Sequence, residues 1–276
     1  MRLLRLGAAV AVSTLLAACS VVSRREPPSS PQPPVMPPVP GPSVPEKPRD
    51  IDSIPDAVPK WEPRSKRGNP PFYTVLGKRY VVLDTAEGYV ERGVASWYGP
   101  TFHGELTSMG EPYDMYGMTA AHKTLPLPTY ARVTNLRNGK SVVVRINDRG
   151  PFAKNRLIDL SYTAAAKLDM LKEGTTLVEV RVVTPNDTQQ LVRSDQQPPP
   201  TLYVQAGAFA EERNATRLLA RMKANGIQNA FVLSPPDGKS RLFRVRVGPV
   251  ADTADFDRVA AQLAKIGISD VRLALD

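Results

Sequence analysis

Cysteine is almost missing from this chain. One, Cys19, stands among 276 residues, beside two histidines and two tryptophans. A lone thiol closes no disulfide within the chain and offers no thiolate pair to a metal. Two histidines without helical or Cys-x-x-Cys spacing give no zinc signature either, so neither a metal nor another cofactor is expected. Negative charge is also in short supply: 27 Asp and Glu face 36 Lys and Arg, for a net charge of +9. That balance favours polyanionic partners, whether nucleic acid, anionic lipid or an acidic wall polymer. Proline is the excess, at 28 residues, and a chain of this length holds about two domains.

The first residues set the compartment. Arg2 and Arg5 open the chain, and the apolar run Leu6 to Leu16 is of secretory-signal length, too short to span a bilayer as a mature helix. The run ends in Leu16-Ala17-Ala18-Cys19, which resembles a bacterial lipobox. The resemblance implies a signal peptide over residues 1–18 and lipidation of Cys19. With Ser20 next, it also implies delivery to the outer membrane, facing the periplasm. Residues 24–60 hold 13 prolines and few large apolar groups, too little surface to offset the entropy of ordering. Residues 19–60 therefore read as a lipidated, extended tether. In polyproline II form its proline-rich part would reach roughly 100 Å.

Residues 61–184 read as a compact β-barrel, with strands near 93–98, 130–135, 140–147 and 175–184. Val142 to Ile146 is β-branched and apolar, as a buried strand requires. A short helix is expected from Tyr162 to Leu171, with Ser161 as its N-cap. Residues 185–200, ending in three prolines, read as a linker.

Residues 201–276 contain an internal repeat with an offset of 41: Gly207 and Gly226 map onto Gly248 and Gly267. Each half reads strand–helix–strand, and two halves make a ferredoxin-like βαββαβ domain. Strand parity puts Leu202, Val204 and Ala206 towards the helices and Tyr203, Gln205 and Gly207 on the open face. In the third strand Phe243, Val245 and Val247 are core, while Arg244 and Arg246 face out. Tyr203, Gln205, Arg244 and Arg246 together suit stacking on sugars and bonding to their hydroxyls.

Between Gly93 and Ser161 lie both histidines, His103 and His122, with Glu111 beside Gly110 and Asp148 in Asn147-Asp148-Arg149-Gly150-Pro151-Phe152. Together with Thr119-Ala120-Ala121-His122-Lys123-Thr124-Leu125-Pro126, these motifs resemble the rare lipoprotein A family. That family consists of peptidoglycan lytic transglycosylases with a six-stranded double-psi β-barrel. The repeat region, through its YVQAGAF and FRVRVGPV segments, resembles the SPOR domain, which binds glycan strands stripped of peptide. The expected fold is thus mainly β plus α+β. The implied activity is endolytic cleavage between N-acetylmuramic acid and N-acetylglucosamine of denuded strands at the division septum, leaving a 1,6-anhydro end. Division proteins are possible partners.

The resemblance implies that Asp148 is the acid/base. Glu111 and His122 would polarise it, hold substrate or stabilise charge at C1. Such chemistry is intramolecular, so one proton-handling group can suffice. Arg149 could orient a carboxylate, bind polymer or form a turn-stabilising ion pair. Met109 departs from the family's small polar residue at that point. Expansins, with similar barrels, give the alternative: wall binding without cleavage. Recognition of RNA by the βαββαβ sheet would need aromatics where strand 3 offers arginines, so no nucleic-acid partner is expected.

Overall fold

The computed structural model describes residues 50–187, 200–235 and 241–275. The signal segment, Cys19, the proline-rich tether up to residue 49 and most of the 185–200 linker lie outside the described residues. A hairpin, β1 (Phe72–Val75) and β2 (Lys78–Val81), leads into a closed six-stranded barrel. The barrel strands are β3 (Val90–Trp97), β4 (Thr119–His122), β5 (Thr129–Asn135), β6 (Ser141–Asp148), β7 (Arg156–Leu160) and β8 (Thr176–Val182). They close in the order β3-β7-β4-β6-β5-β8, with parallel β3–β7 and β4–β6 pairs among antiparallel ones. Inward positions alternate along the strands. Ala120, Val142, Val144, Ile146, Ile158, Leu160, Val178 and Val180 fill one core.

Two of these strands escape a reading by pattern. Thr119–His122 has four residues, and in Arg156–Leu160 the neighbours Leu157 and Ile158 are both buried. Helix α1 (Tyr162–Lys167) starts as expected, with Ser161 Oγ accepting from the Ala164 amide at 3.2 Å. It stops short of Leu171 because Asp169 takes a left-handed φ of 57°.

The tether as read from composition runs too far. Asp56 accepts from the Val143 amide at 2.8 Å and pairs with Lys167 at 3.2 Å, and the Ala57 amide donates to the Val143 carbonyl. Ile54 and Ala57 pack on the barrel core. Residues 50–60 are therefore part of the barrel's surface.

The C-terminal domain forms a four-stranded antiparallel sheet, β10 (Ala230–Leu233), β11 (Phe243–Val247), β9 (Leu202–Phe209) and β12 (Arg272–Leu275), in that order. Helices α2 (Glu212–Ala224) and α3 (Thr253–Lys265) are both 13 residues long and start 41 residues apart, as the repeat requires. Their buried faces, Ala215 and Met222 on α2 and Phe256, Val259 and Leu263 on α3, build a second core. The α3 residue Asp257 pairs with Arg156 of the barrel at 3.2 Å, and Thr253 meets Thr175.

Candidate active site

Neighbouring barrel strands set two carboxylates in one row. Ala121 of β4 is flanked by Asp148 of β6 and by Asp159 of β7. Asp159 is paired in turn with Ser96 of β3. At about 4.8 Å between strands, the Cα atoms of the two aspartates stand roughly 10 Å apart. A bulge makes the row possible. Ala120 pairs with Ile146 and Ala121 with Asp148, so Asn147 is the extra residue. Without it Asp148 would share the inward parity of Ile146; the bulge turns it to the outer face of Ala121 and Asp159.

Asp148 is held by the loop above it. Its Oδ1 accepts from the Ser108 amide at 2.7 Å, the Ser108 hydroxyl at 2.6 Å and the Arg149 amide at 2.7 Å. These bonds all fall on one oxygen, so Oδ2 is the atom that can meet a ligand. Asp159 accepts from the Ser96 hydroxyl. Burial pushes its carboxyl above the ordinary carboxylate range, against the Ser96 bond and the charges of Lys123 and Arg156; the charge of Asp148 adds to the rise. Gly150 lies against this row. Its φ of +147° favours glycine, and a Cβ there would lie 3.7 Å from the Ala121 Cβ and 4.0 Å from Asp159 Oδ2.

Two aromatic clusters adjoin the row. Tyr98 packs on Tyr113 and Phe102 with ring centroids 4.6 and 6.2 Å away. Burial holds its phenol well above the usual range, and the charges of both Asp148 and Asp159 add to that. Tyr73, Tyr80 and Phe152 form the second cluster. Burial pushes the Tyr73 phenol up to about 12, with Asp148 again contributing. Such rings offer broad apolar platforms with a polar edge.

Glu111 reaches the row at one remove. Its Oε2 accepts from Asn147 Nδ2 at 2.9 Å and Arg145 Nη1 at 2.8 Å. The Arg145 bond holds the Glu111 carboxyl below its ordinary range. Arg145 also forks onto Glu62 at 3.0 and 2.9 Å. Asn147 is the bulge residue, so Glu111 anchors the device that aims Asp148.

His122 is not brought to Asp148. One position beyond Ala121, it points to the opposite face and is buried. Its Nδ1 accepts from the amides of Thr124 and Leu125, at 3.2 and 3.1 Å, which puts the proton on Nε2. Nε2 donates to the Tyr89 hydroxyl at 2.9 Å, and that hydroxyl donates to Glu91 at 2.6 Å. Burial pushes the imidazole down to about 3, so it is neutral at pH 7. It lines a cavity of about 370 Å³ with Lys123, Arg156 and Arg272 that neither aspartate lines. His103 accepts from the Met115 amide at 3.2 Å and braces its loop. Arg149 binds the carbonyls of Gly68, His122 and Leu125 and the Asn69 side chain, not a carboxylate. Met109 packs on the barrel core.

On the C-terminal sheet, parity holds up to Gln205 and then fails. Val245 pairs with Gly207 and Arg246 with Gln205, so the register shifts. A Cβ on Gly207 would lie 2.9 Å from the Phe209 ring and 3.2 Å from Leu218 of α2. Gly207 therefore faces the helices and not the open side. Arg246 does lie on the Tyr203 side but is buried, 7% exposed. Its guanidinium sits 5.8 Å over the Tyr203 ring, which meets Phe231 edge-on at 5.4 Å. Arg244 is half-buried.

Similarity to known proteins follows this division. The family model described as lytic transglycolase matches residues 90–180, and the SPOR domain model matches residues 198–273. The endolytic peptidoglycan transglycosylase RlpA of Pseudomonas aeruginosa (strain UCBPP-PA14) is 38% identical over 275 residues, covering 79% of this chain and 80% of that protein. The chain belongs to the RlpA family. The protein of the same name from Vibrio cholerae is 54% identical over 141 residues, 51% of this chain and 53% of that one. The solved SPOR domain of P. aeruginosa RlpA matches at 27% identity, covering 27% of this chain and 99% of that one, with a TM-score of 0.25.

Within the RlpA family's barrel, sequence reasoning passed over Asp159, Ser96, Ser108 and Arg145. Ser108 lies directly before Met109 and Gly110, inside a motif already noted. Asp159, in Leu157-Ile158-Asp159-Leu160-Ser161, was the available signal for a second acid: one carboxylate inside an otherwise apolar strand.

Proposed function

We propose that the chain is an outer-membrane-anchored endolytic peptidoglycan transglycosylase. It cuts the N-acetylmuramic acid–N-acetylglucosamine bond of denuded strands at the septum and leaves a 1,6-anhydro end. The observation that carries the reading is Asp148. A bulge pinned by Glu111 turns it outward, three hydrogen bonds hold its Oδ1, and its Oδ2 is left for a ligand beside aromatic platforms. In this reaction the sugar's C6 hydroxyl attacks C1, so the protein need supply proton transfer and orientation but no nucleophile. Membership of the RlpA family supports the same assignment.

The C-terminal sheet is the targeting face. Tyr203 and Gln205 contact the glycan, Arg244 bonds its hydroxyls, and Arg246 stiffens the Tyr203 ring from within. Cys19 carries the lipid, and the proline-rich tether lets the barrel reach the wall.

The test is incubation of the protein and of Asp148→Asn with amidase-treated glycan strands, read by mass spectrometry. Anhydro-ended products from the wild type, absent with the variant, are expected. Intact strands that co-sediment with the wild type would replace this reading with wall binding alone.

A further inference from the structure

Asp159 has no part in the scheme above, yet it shares the face of Asp148. The two flank Ala121 from the strands on either side of it, and Gly150 lies against Ala121 and Asp159 without a side chain. Their surroundings differ. Asp148 receives three donors on one oxygen from the loop above. Asp159 receives the Ser96 hydroxyl in a largely desolvated place, and its carboxyl is raised by that burial. Paired carboxylates in unequal environments divide acid and base roles between them. The departing O4 and the incoming C6 oxygen both lie on the same face of the muramic ring, so one protein face that carries two carboxylates can serve both proton transfers.

We propose that Asp159 is the proton donor of the cleavage, with Asp148 as the base. The Asp159 carboxyl protonates the departing O4 of N-acetylglucosamine as the C1–O4 bond breaks. The C6 oxygen bonds to C1, and its proton passes to Asp148. One proton is given and one is taken, so no water is consumed; the proton returns from Asp148 to Asp159 through solvent. The proposal rests on the transglycosylase reading and deepens it.

An aryl leaving group separates the two roles, because 4-nitrophenolate departs without protonation. Asp159→Asn is expected to lose roughly 10²- to 10⁴-fold on glycan strands. It should stay within about tenfold of wild type on a glycan oligomer carrying 4-nitrophenol at its terminal muramoyl C1. Asp148→Asn should lose both. Equal loss on both substrates, or wild-type cleavage of strands by Asp159→Asn, would overturn the proposal. A wild type that forms no anhydro product from either substrate would overturn the transglycosylase reading and this one with it. Ser96→Ala gives a check that does not depend on the folding of Asp159→Asn. Removing the bond that lowers the Asp159 carboxyl should move the alkaline limb of kcat/KM to higher pH; an unmoved limb counts against Asp159 as the acid.

Discussion

Replacing His122 with asparagine tests whether this histidine is a structural pin. The asparagine oxygen can stand where Nδ1 accepts from Thr124 and Leu125, while the titrating ring is gone. In the wild type the imidazole falls from 6.5 to about 3 on burial. Below pH 6.5 the unfolded chain binds a proton that the folded chain refuses, so stability drops as pH falls from 6.5 towards 3. At about 1.4 kcal/mol per pH unit, the wild type loses roughly 2 kcal/mol to this group between pH 6.5 and pH 5. Urea unfolding at pH 7 and pH 5, followed by tryptophan fluorescence, measures it. Both proteins share every carboxylate, so the difference between their pH dependences isolates position 122. His122→Asn should be about 1–3 kcal/mol less stable at pH 7, through loss of the Tyr89 bond, but should lack that 2 kcal/mol acid loss. Equal losses in the two proteins would refute a buried neutral imidazole.

Ser108→Ala should lower the cleavage rate about tenfold, the value of one hydrogen bond to a charged group, with binding of strands unchanged by co-sedimentation. Glu111→Ala should release Asn147 and the bulge, lowering kcat with little change in KM; Arg145→Met, which leaves Glu62 and Glu111 without their cation, should cost about 1–3 kcal/mol in urea unfolding. Tyr203→Ala should weaken strand binding about tenfold, read by co-sedimentation of the full chain carrying Asp148→Asn.

Much of the fold was legible in the residues. The 41-residue offset between Gly207 and Gly248 gave two helices of equal length in matching places, because a repeat imposes the same packing twice. Val142 to Ile146 announced its strand through β-branched, apolar side chains. What stayed hidden depends on bulges. Parity counted along a strand assumes unbroken alternation. One extra residue at Asn147 turned Asp148 outward, and the shift between Val245 and Arg246 turned Gly207 inward. The candidate site was half legible: Asp148 and Glu111 stood out in Gly- and Pro-rich motifs. Asp159 did not, since only the pairing of β4 with β7 brings it beside Ala121. His122 was rare and motif-borne, and its burial against Tyr89 depends on contacts across the barrel.

The most direct measurement is cleavage of amidase-treated strands in water enriched in oxygen-18, with product ends weighed by mass spectrometry. The account predicts muramoyl ends lighter than reducing ends by one water and free of the heavy isotope, because the C6 oxygen supplies the new bond. Reducing ends that carry one heavy oxygen would mean hydrolysis, and would contradict attack on C1 by the sugar's own C6 hydroxyl.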